Sequence, residues 1–178
     1  MIQIRDEIAA DLPAREALLD AAFGDTRFEK TSERLREGRR AARGLSLSAD
    51  HAGEVVGTVR LWNVSAGTAG DGLLLGPLAV DAGQRNLGIG AKLMREALWR
   101  VARSGHSFIL LVGDAPYYER FGFRAAPAGL DLPGPVDRAR FLSFEVTPGA
   151  LMCAEGLVVA TGERIDRRRI QPGLRLAA

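Results

Sequence analysis

An α/β fold with a mixed central sheet flanked by helices is what this sequence predicts, and three observations predict it. Residues 73–80 (LLLGPLAV) are apolar on both faces, as a strand in the middle of a sheet must be. A glycine-rich turn and an amphipathic helix follow, and residues 108–112 (FILLV) form a second buried run. Strand, helix and strand in that order imply parallel pairing through a right-handed crossover. Residues 55–63 set Val55, Gly57, Val59 and Leu61 against Val56, Thr58, Arg60 and Trp62, the period-two pattern of a strand.

In chain order, Ile2 and Ile4 alternate with polar neighbours and predict a short first strand. Asp11 is placed to cap a helix with Pro13 in its first turn. That helix sets Ala14, Ala17, Leu18, Ala21 and Ala22 on one face and stops at Gly24. Residues 26–44 are helical in propensity but poor in apolar side chains, with Phe28, Leu35, Ala41 and Ala42 to face inward. They predict a basic surface helix over residues 27–43. Strands at 45–49 and 55–63 flank the turn 50–54, and a flexible connection (65–72) leads into 73–80.

The helix after the glycines buries Leu93, Met94, Ala97, Leu98, Val101 and Ala102 and ends at Ser104-Gly105. Beyond the 108–112 strand come a short helix begun by Pro116, a strand near Phe123, a Pro/Gly-rich loop (127–135), and strands at 141–146 and 157–160. Residues 1–163 are expected to form a single domain, with a basic tail of low structural content at 164–178.

Composition excludes several function classes. With 47% hydrophobic and 26% charged residues the 178-residue chain reads as a soluble globular protein, and a net charge of +2 is too small to argue for nucleic acid, so no nucleic-acid partner is expected. Cys153 is the sole cysteine, and His51 and His106 stand apart, so no metal site is expected. Cys153 reads as a buried thiol, and Trp62 and Trp99 as packing residues. Charges interrupt the N-terminus and no apolar run reaches the ~20 residues of a membrane helix, so no membrane contact and a cytoplasmic location are expected.

The turn between strand and helix carries the chemistry. A glycine turn feeding a helix aims backbone N–H groups and the positive end of the helix dipole into one concavity, a phosphate cradle. A dinucleotide fingerprint would need glycine at Leu93, and a P-loop would need Gly-Lys-Ser/Thr, which Ala91-Lys92-Leu93 does not supply. What stands is Leu78-Ala79-Val80 followed by Arg85-Asn86-Leu87-Gly88-Ile89-Gly90, with Ala91 next. This resembles the acyl-CoA signature of the GNAT superfamily of N-acetyltransferases, R/Q-x-x-G-x-G/A after a strand reading L-A-V. Tyr118-Glu119-Arg120-Phe121-Gly122-Phe123 is similar to the family's Y-x-x-x-G-F segment, and the GDAPYYERFGF wording to a bacterial subgroup of mostly unassigned substrate.

The resemblance covers residues 2 to about 160 and implies a sheet of about six to seven strands splayed at its middle. It implies acetyl-CoA as co-substrate and acetyl transfer to a primary amine of a small molecule or peptide, by direct attack in a ternary complex. Leu78, Ala79 and Val80 would offer the strand edge to the pantetheine arm. Residues 85–91 would cradle the pyrophosphate, and Tyr118 would protonate the departing thiolate. Many relatives carry a carboxylate on the strand before L-A-V; here residues 73–77 hold none, and Glu54, Asp71 and Asp114 are not assigned as base. That gap leaves open a non-catalytic acetyl-CoA sensor, and the oligomeric state is open between monomer and homodimer.

Overall fold

The computed structural model describes residues 1–165. The elements are β1 (Ile2–Asp6), α1 (Leu12–Phe23), β2 (Ser46–His51), β3 (Glu54–Ala66), β4 (Asp71–Val80), α2 (Ile89–Val101), β5 (Phe108–Val112), α3 (Ala115–Glu119), β6 (Arg124–Ala125), β7 (Leu130–Asp131), β8 (Phe141–Glu145) and β9 (Gly156–Ala160). The sheet runs β1-β2-β3-β4-β5-β8-β6. Its β4–β5 junction is parallel and the other junctions along this path are antiparallel. The expected mixed sheet and the parallel crossover are both present.

Nine strands form the sheet rather than six or seven. The surplus comes from the length of β3, which outruns β2 and pairs Val64, Ser65 and Ala66 with β9. β9 in turn takes β7 as a parallel neighbour.

Side-chain alternation assigns the two faces. Ile89, Leu93, Met94, Ala97 and Val101 of α2 pack on Ala49, Val59, Leu61, Leu73 and Leu75. On the other face Trp62, Val64, Leu74, Phe108, Leu110 and Phe141 enclose a second core, into which Leu35 projects. α1 lies against Ala79 and Val55 through Leu18 and Leu19.

Several expectations are corrected. Residues 27–43 do not form a helix; two 3-10 turns, Asp25–Glu29 and Thr31–Leu35, replace it. Their arginines reach distant partners instead of forming a solvated face. Arg27 pairs with Glu16 at 2.5 Å and Asp20 at 2.9 Å, Arg34 donates to the Pro133 carbonyl at 2.7 Å, and Arg39 donates to that of Gly162 at 2.6 Å. Phe28 is exposed, whereas Leu35 and Ala42 are buried as expected.

The 65–72 connection is no flexible linker. Ser65 and Ala66 belong to β3, Gly67–Ala69 is one 3-10 turn, and the Ala66 N–H donates to the Gly70 carbonyl at 2.8 Å. Asp11 does not cap α1. Its carboxylate accepts from Arg5 at 2.7 and 2.9 Å, from Ser48 Oγ at 3.0 Å and from the Ile8 N–H at 3.0 Å, which ties the preceding turn to the sheet. In α1, Arg15, Leu18 and Leu19 are buried while Ala17 and Ala21 face outward. Trp99 is exposed beneath the Arg103 guanidinium, and Cys153 is exposed too. Most of the tail, residues 166–178, lies outside the described residues.

Candidate active site

The turn before α2 is built by local hydrogen bonds. Asp81 Oδ1 accepts from the Gly83 N–H at 2.9 Å, and the Gln84 side chain meets His51 Nδ1 at 2.8 Å, tying the turn to the β2–β3 hairpin. Gly88 adopts φ +69°, a left-handed conformation that side chains other than glycine resist, and nothing lies within 4 Å of where its Cβ would be. The Lys92 N–H donates to the Gly88 carbonyl at 3.0 Å. The N–H groups of Ile89, Gly90 and Ala91 therefore precede the first intrahelical bond and are free for an anion. Gly57 lets α2 press onto the sheet, since a Cβ there would stand 3.0 Å from Ile89 and 3.1 Å from Leu93. The open space above Gly88 and the free amides fit a diphosphate. Arg85, Asn86 and Leu87 are exposed on the rim.

β4 supplies an open strand edge beside this turn. It pairs with β5 only at Leu73–Ile109 and Leu74–Leu110, then diverges, while Leu78, Ala79 and Val80 stay bonded to β3 on the opposite edge. Leu78 and Val80 pack toward the α2 core and Ala79 toward α1. A groove of about 810 Å³ on the α1 side is walled by Ala14, Ala17 and Ala21 and reaches Asp81 and Arg85 at the turn. The outward alanine face of α1 lines this groove.

α3 sets two tyrosines at the splay. The Tyr118 ring lies so close to Gly113, at the end of β5, that a Cβ there would stand 2.3 Å from Cε2. Burial pushes the Tyr118 hydroxyl up to about 12, with the Tyr117 phenol adding to the rise and the Arg140 charge opposing it. Tyr117 and Tyr118 meet edge to face at 4.9 Å between ring centres, and the Arg120 guanidinium lies 4.1 Å above Tyr117. The Tyr117 hydroxyl points to Gly90, at 2.6 Å from the position of a Cβ on that residue. Leu78, Val80 and Tyr118 thus pack against the same α2 core as Ile89 of the turn, Ala79 faces α1, and Val80 and Arg85 line the groove. Tyr117 joins them through its hydroxyl at Gly90.

Glu54, Asp71 and Asp114 are all exposed. Asp71 begins β4, Glu54 begins β3 and lines the groove, and Asp114 precedes α3. Among the described residues no group of three or more His, Cys, Asp or Glu is arranged to hold a metal, and no helix is long and apolar enough to cross a membrane.

Residues 42–125 match the family model of an acetyltransferase (GNAT) domain. The uncharacterized N-acetyltransferase YhbS of Escherichia coli K12 is 33% identical over 159 residues, which span 87% of this chain and 93% of YhbS. The chain belongs to the GNAT family of N-acetyltransferases. The crystal structure of E. coli YhbS in complex with CoA superposes with a TM-score of 0.72 at 30% identity, covering 90% of this chain and 89% of that one. A GNAT acetyltransferase from Brucella melitensis in complex with acetyl-CoA gives 0.57 at 30% identity, covering 81% and 96%. This GNAT chain thus has the mixed-sheet architecture of its relatives, and its open strand edge falls where the fold parts β4 from β5.

Proposed function

We propose that the chain transfers the acetyl group of acetyl-CoA to a primary amine, the amine attacking the thioester directly while both substrates are bound. One observation carries this reading: the open edge of β4 runs between the free amides of α2 and Tyr118. The CoA and acetyl-CoA held by the E. coli and Brucella relatives support it.

The free N–H groups at the start of α2, with the 85–88 turn, bind the pyrophosphate of the co-substrate. Leu78, Ala79 and Val80 present the strand edge to the amides of its pantetheine arm. Acyl transfer needs a stabilised leaving sulfur. Tyr118 lies at the splay and donates a hydrogen bond to it. Against an ordinary thiol near 8.5, a phenol pushed up to about 12 gives up its proton uphill by about 5 kcal/mol. Burial raises the thiol as well and narrows that gap. No carboxylate lies on residues 73–77, and no residue is assigned as the base that takes the amine's proton.

Mixing the chain with acetyl-CoA and a panel of primary amines, while following free thiol, tests this directly. Release that requires an amine is the expected result. Tight CoA binding with no release for any amine would support a non-catalytic sensor instead. Gly88→Trp fills the cradle and is expected to abolish CoA binding in calorimetry; an unchanged Kd would move the site elsewhere.

A further inference from the structure

The segment that was expected to be a helix crosses the splay as a strap. Arg27 fastens its start to α1, while Thr31 and Arg34 bond to the Pro135 and Pro133 carbonyls at 2.5 and 2.7 Å. Leu35 plugs into the core formed by Trp62, Leu74 and Leu110, on the face of the sheet away from α2. The next residue, Arg36, is only 8% exposed. Its Nη2 meets Ser32 and Glu33, but its Nε is buried without a partner, and Nη1 makes no hydrogen bond among the described residues. Nη1 instead stands 3.9 Å from where a Cβ on Gly76 would lie, on β4 just past its last pairing with β5.

Two further cations close on the same opening. Lys30 heads the strap, its ammonium 4.4 Å above the Phe23 ring. Burial, then the charges of Arg140 and Arg36, pushes Lys30 below the usual lysine range. Arg140 accepts the Gly113 N–H at 2.9 Å through its carbonyl, beside the residue on which Tyr118 packs. Glu33 faces Arg36 as its one carboxylate partner among the described residues, and Asp114 stands at the far side near Tyr118. A guanidinium this buried, with one half-exposed carboxylate and an orphaned N–H, is under-compensated. A second anion on Nη1 would add the missing countercharge to the guanidinium.

We propose that this face of the splay is the acceptor pocket and selects an amine bearing an oxyanion, a carboxylate or a phosphate, held by Arg36 with Lys30 and Arg140 beside it. The inference rests on the acetyltransferase reading above. The oxyanion sits on the strap side, the amine points through the gap between β4 and β5, and the acetyl group arrives from the α2 side. Arg36 follows Leu35 on the face of the sheet away from α2, and the Kd for CoA in Arg36→Gln separates an acceptor anion from the cofactor's phosphates.

Paired probes test it. β-Alanine is compared with β-alaninamide, and phosphoethanolamine with ethanolamine, in thiol release and in calorimetry on the CoA-loaded chain. At least a 10-fold higher kcat/KM for the anionic member of either pair is expected, carried by KM; the pair showing it tells carboxylate from phosphate. Arg36→Gln removes the preference while leaving the Kd for CoA and the rate on the neutral member unchanged. Lys30→Gln and Arg140→Gln, on exposed side chains, reduce it 3-fold or more and stand in if Arg36→Gln does not fold.

Equal rates and equal binding within both pairs would overturn the inference. So would equal losses on charged and neutral amines in Arg36→Gln, which mark a purely structural arginine. A weakened Kd for CoA would also overturn it, by making the cofactor's phosphate the anion. Anionic preference in binding without thiol release from any amine would sink the acetyltransferase reading and leave the pocket standing.

Discussion

The Tyr117 hydroxyl occupies the space that a Cβ on Gly90 would need, 2.6 Å away, at the first turn of α2. Glycine is a poorer helix former than alanine, and at this first-turn position it leaves the room that the Tyr117 hydroxyl fills. Gly90→Ala is expected to displace Tyr117 and weaken CoA binding about 10-fold, which is about 1.4 kcal/mol. The double variant Gly90→Ala, Tyr117→Phe removes the colliding oxygen and should recover most of the loss. Calorimetry on the two variants decides; equal affinities would mean that Tyr117 does not shape the cradle.

Tyr118→Phe is expected to lower kcat about 100-fold or more with the Kd for CoA unchanged, since one positioned proton donor contributes about 10²- to 10⁴-fold. A kcat equal to that of the native chain would remove Tyr118 from the reaction.

The same phenol makes an alkaline prediction. Raised to about 12 in the fold against about 10 unfolded, it stays neutral longer in the native state. Its stabilising contribution is complete below pH 10 and is lost as pH rises toward 12, a change of about 2–3 kcal/mol. Urea unfolding at pH 9 and pH 11 should show a steeper fall for the native chain than for Tyr118→Phe. Equal falls would mean that the ring is not held in a desolvated site.

Asp11 predicts the opposite, acid side. The Arg5 hydrogen bonds, with those from Ile8 and Ser48, hold its carboxyl down at about 2 against the desolvating effect of burial. A depressed carboxyl stabilises the fold above its unfolded value and loses that contribution as pH falls through the folded one. About 2 kcal/mol should therefore vanish between pH 4 and pH 2. Asp11→Asn should lose a similar amount at pH 7 and show a flatter acid limb in urea titrations; a native-like limb would place the acid sensitivity elsewhere.

Cys153 stands exposed at a positive φ of 56°. A chromogenic disulfide reagent should therefore consume one equivalent on the native chain within seconds to minutes, without denaturant. Cys153→Ser should abolish that burst, which would otherwise overlay the thiol released by turnover. A burst seen only in denaturant would place the thiol inside.

The sheet and the cofactor side were legible because their signals are local. Period-two alternation exposed β3, two-sided apolarity exposed β4, and the 3.6 period of Leu93, Met94, Ala97 and Val101 oriented α2. The strap was not legible. Its shape depends on Glu16, Pro133 and Pro135, partners lying 11 to 104 residues away from Arg27, Arg34 and Thr31. Helical propensity without an apolar stripe is overridden by such contacts. Arg36 looked like one more surface arginine, since nothing beside it in sequence says that it is buried. Trp99 differs for the converse reason: a large apolar ring on a good helix reads as a packing residue, but it is exposed, with the Arg103 guanidinium over its ring.

The parting of β4 from β5 after two residue pairs has a consequence in hydrogen exchange. Strand amides in a closed sheet exchange only when the sheet opens, whereas those along an unpaired edge exchange from the native state. The edge of β4 beyond Leu75 should label quickly in deuterated water while Leu73 and Leu74 stay protected. Saturating CoA should slow that edge alone, since the pantetheine amides would lie along it as a tenth strand. On the proposed function the chain by itself is an unfinished sheet, and its co-substrate would be the piece that finishes it.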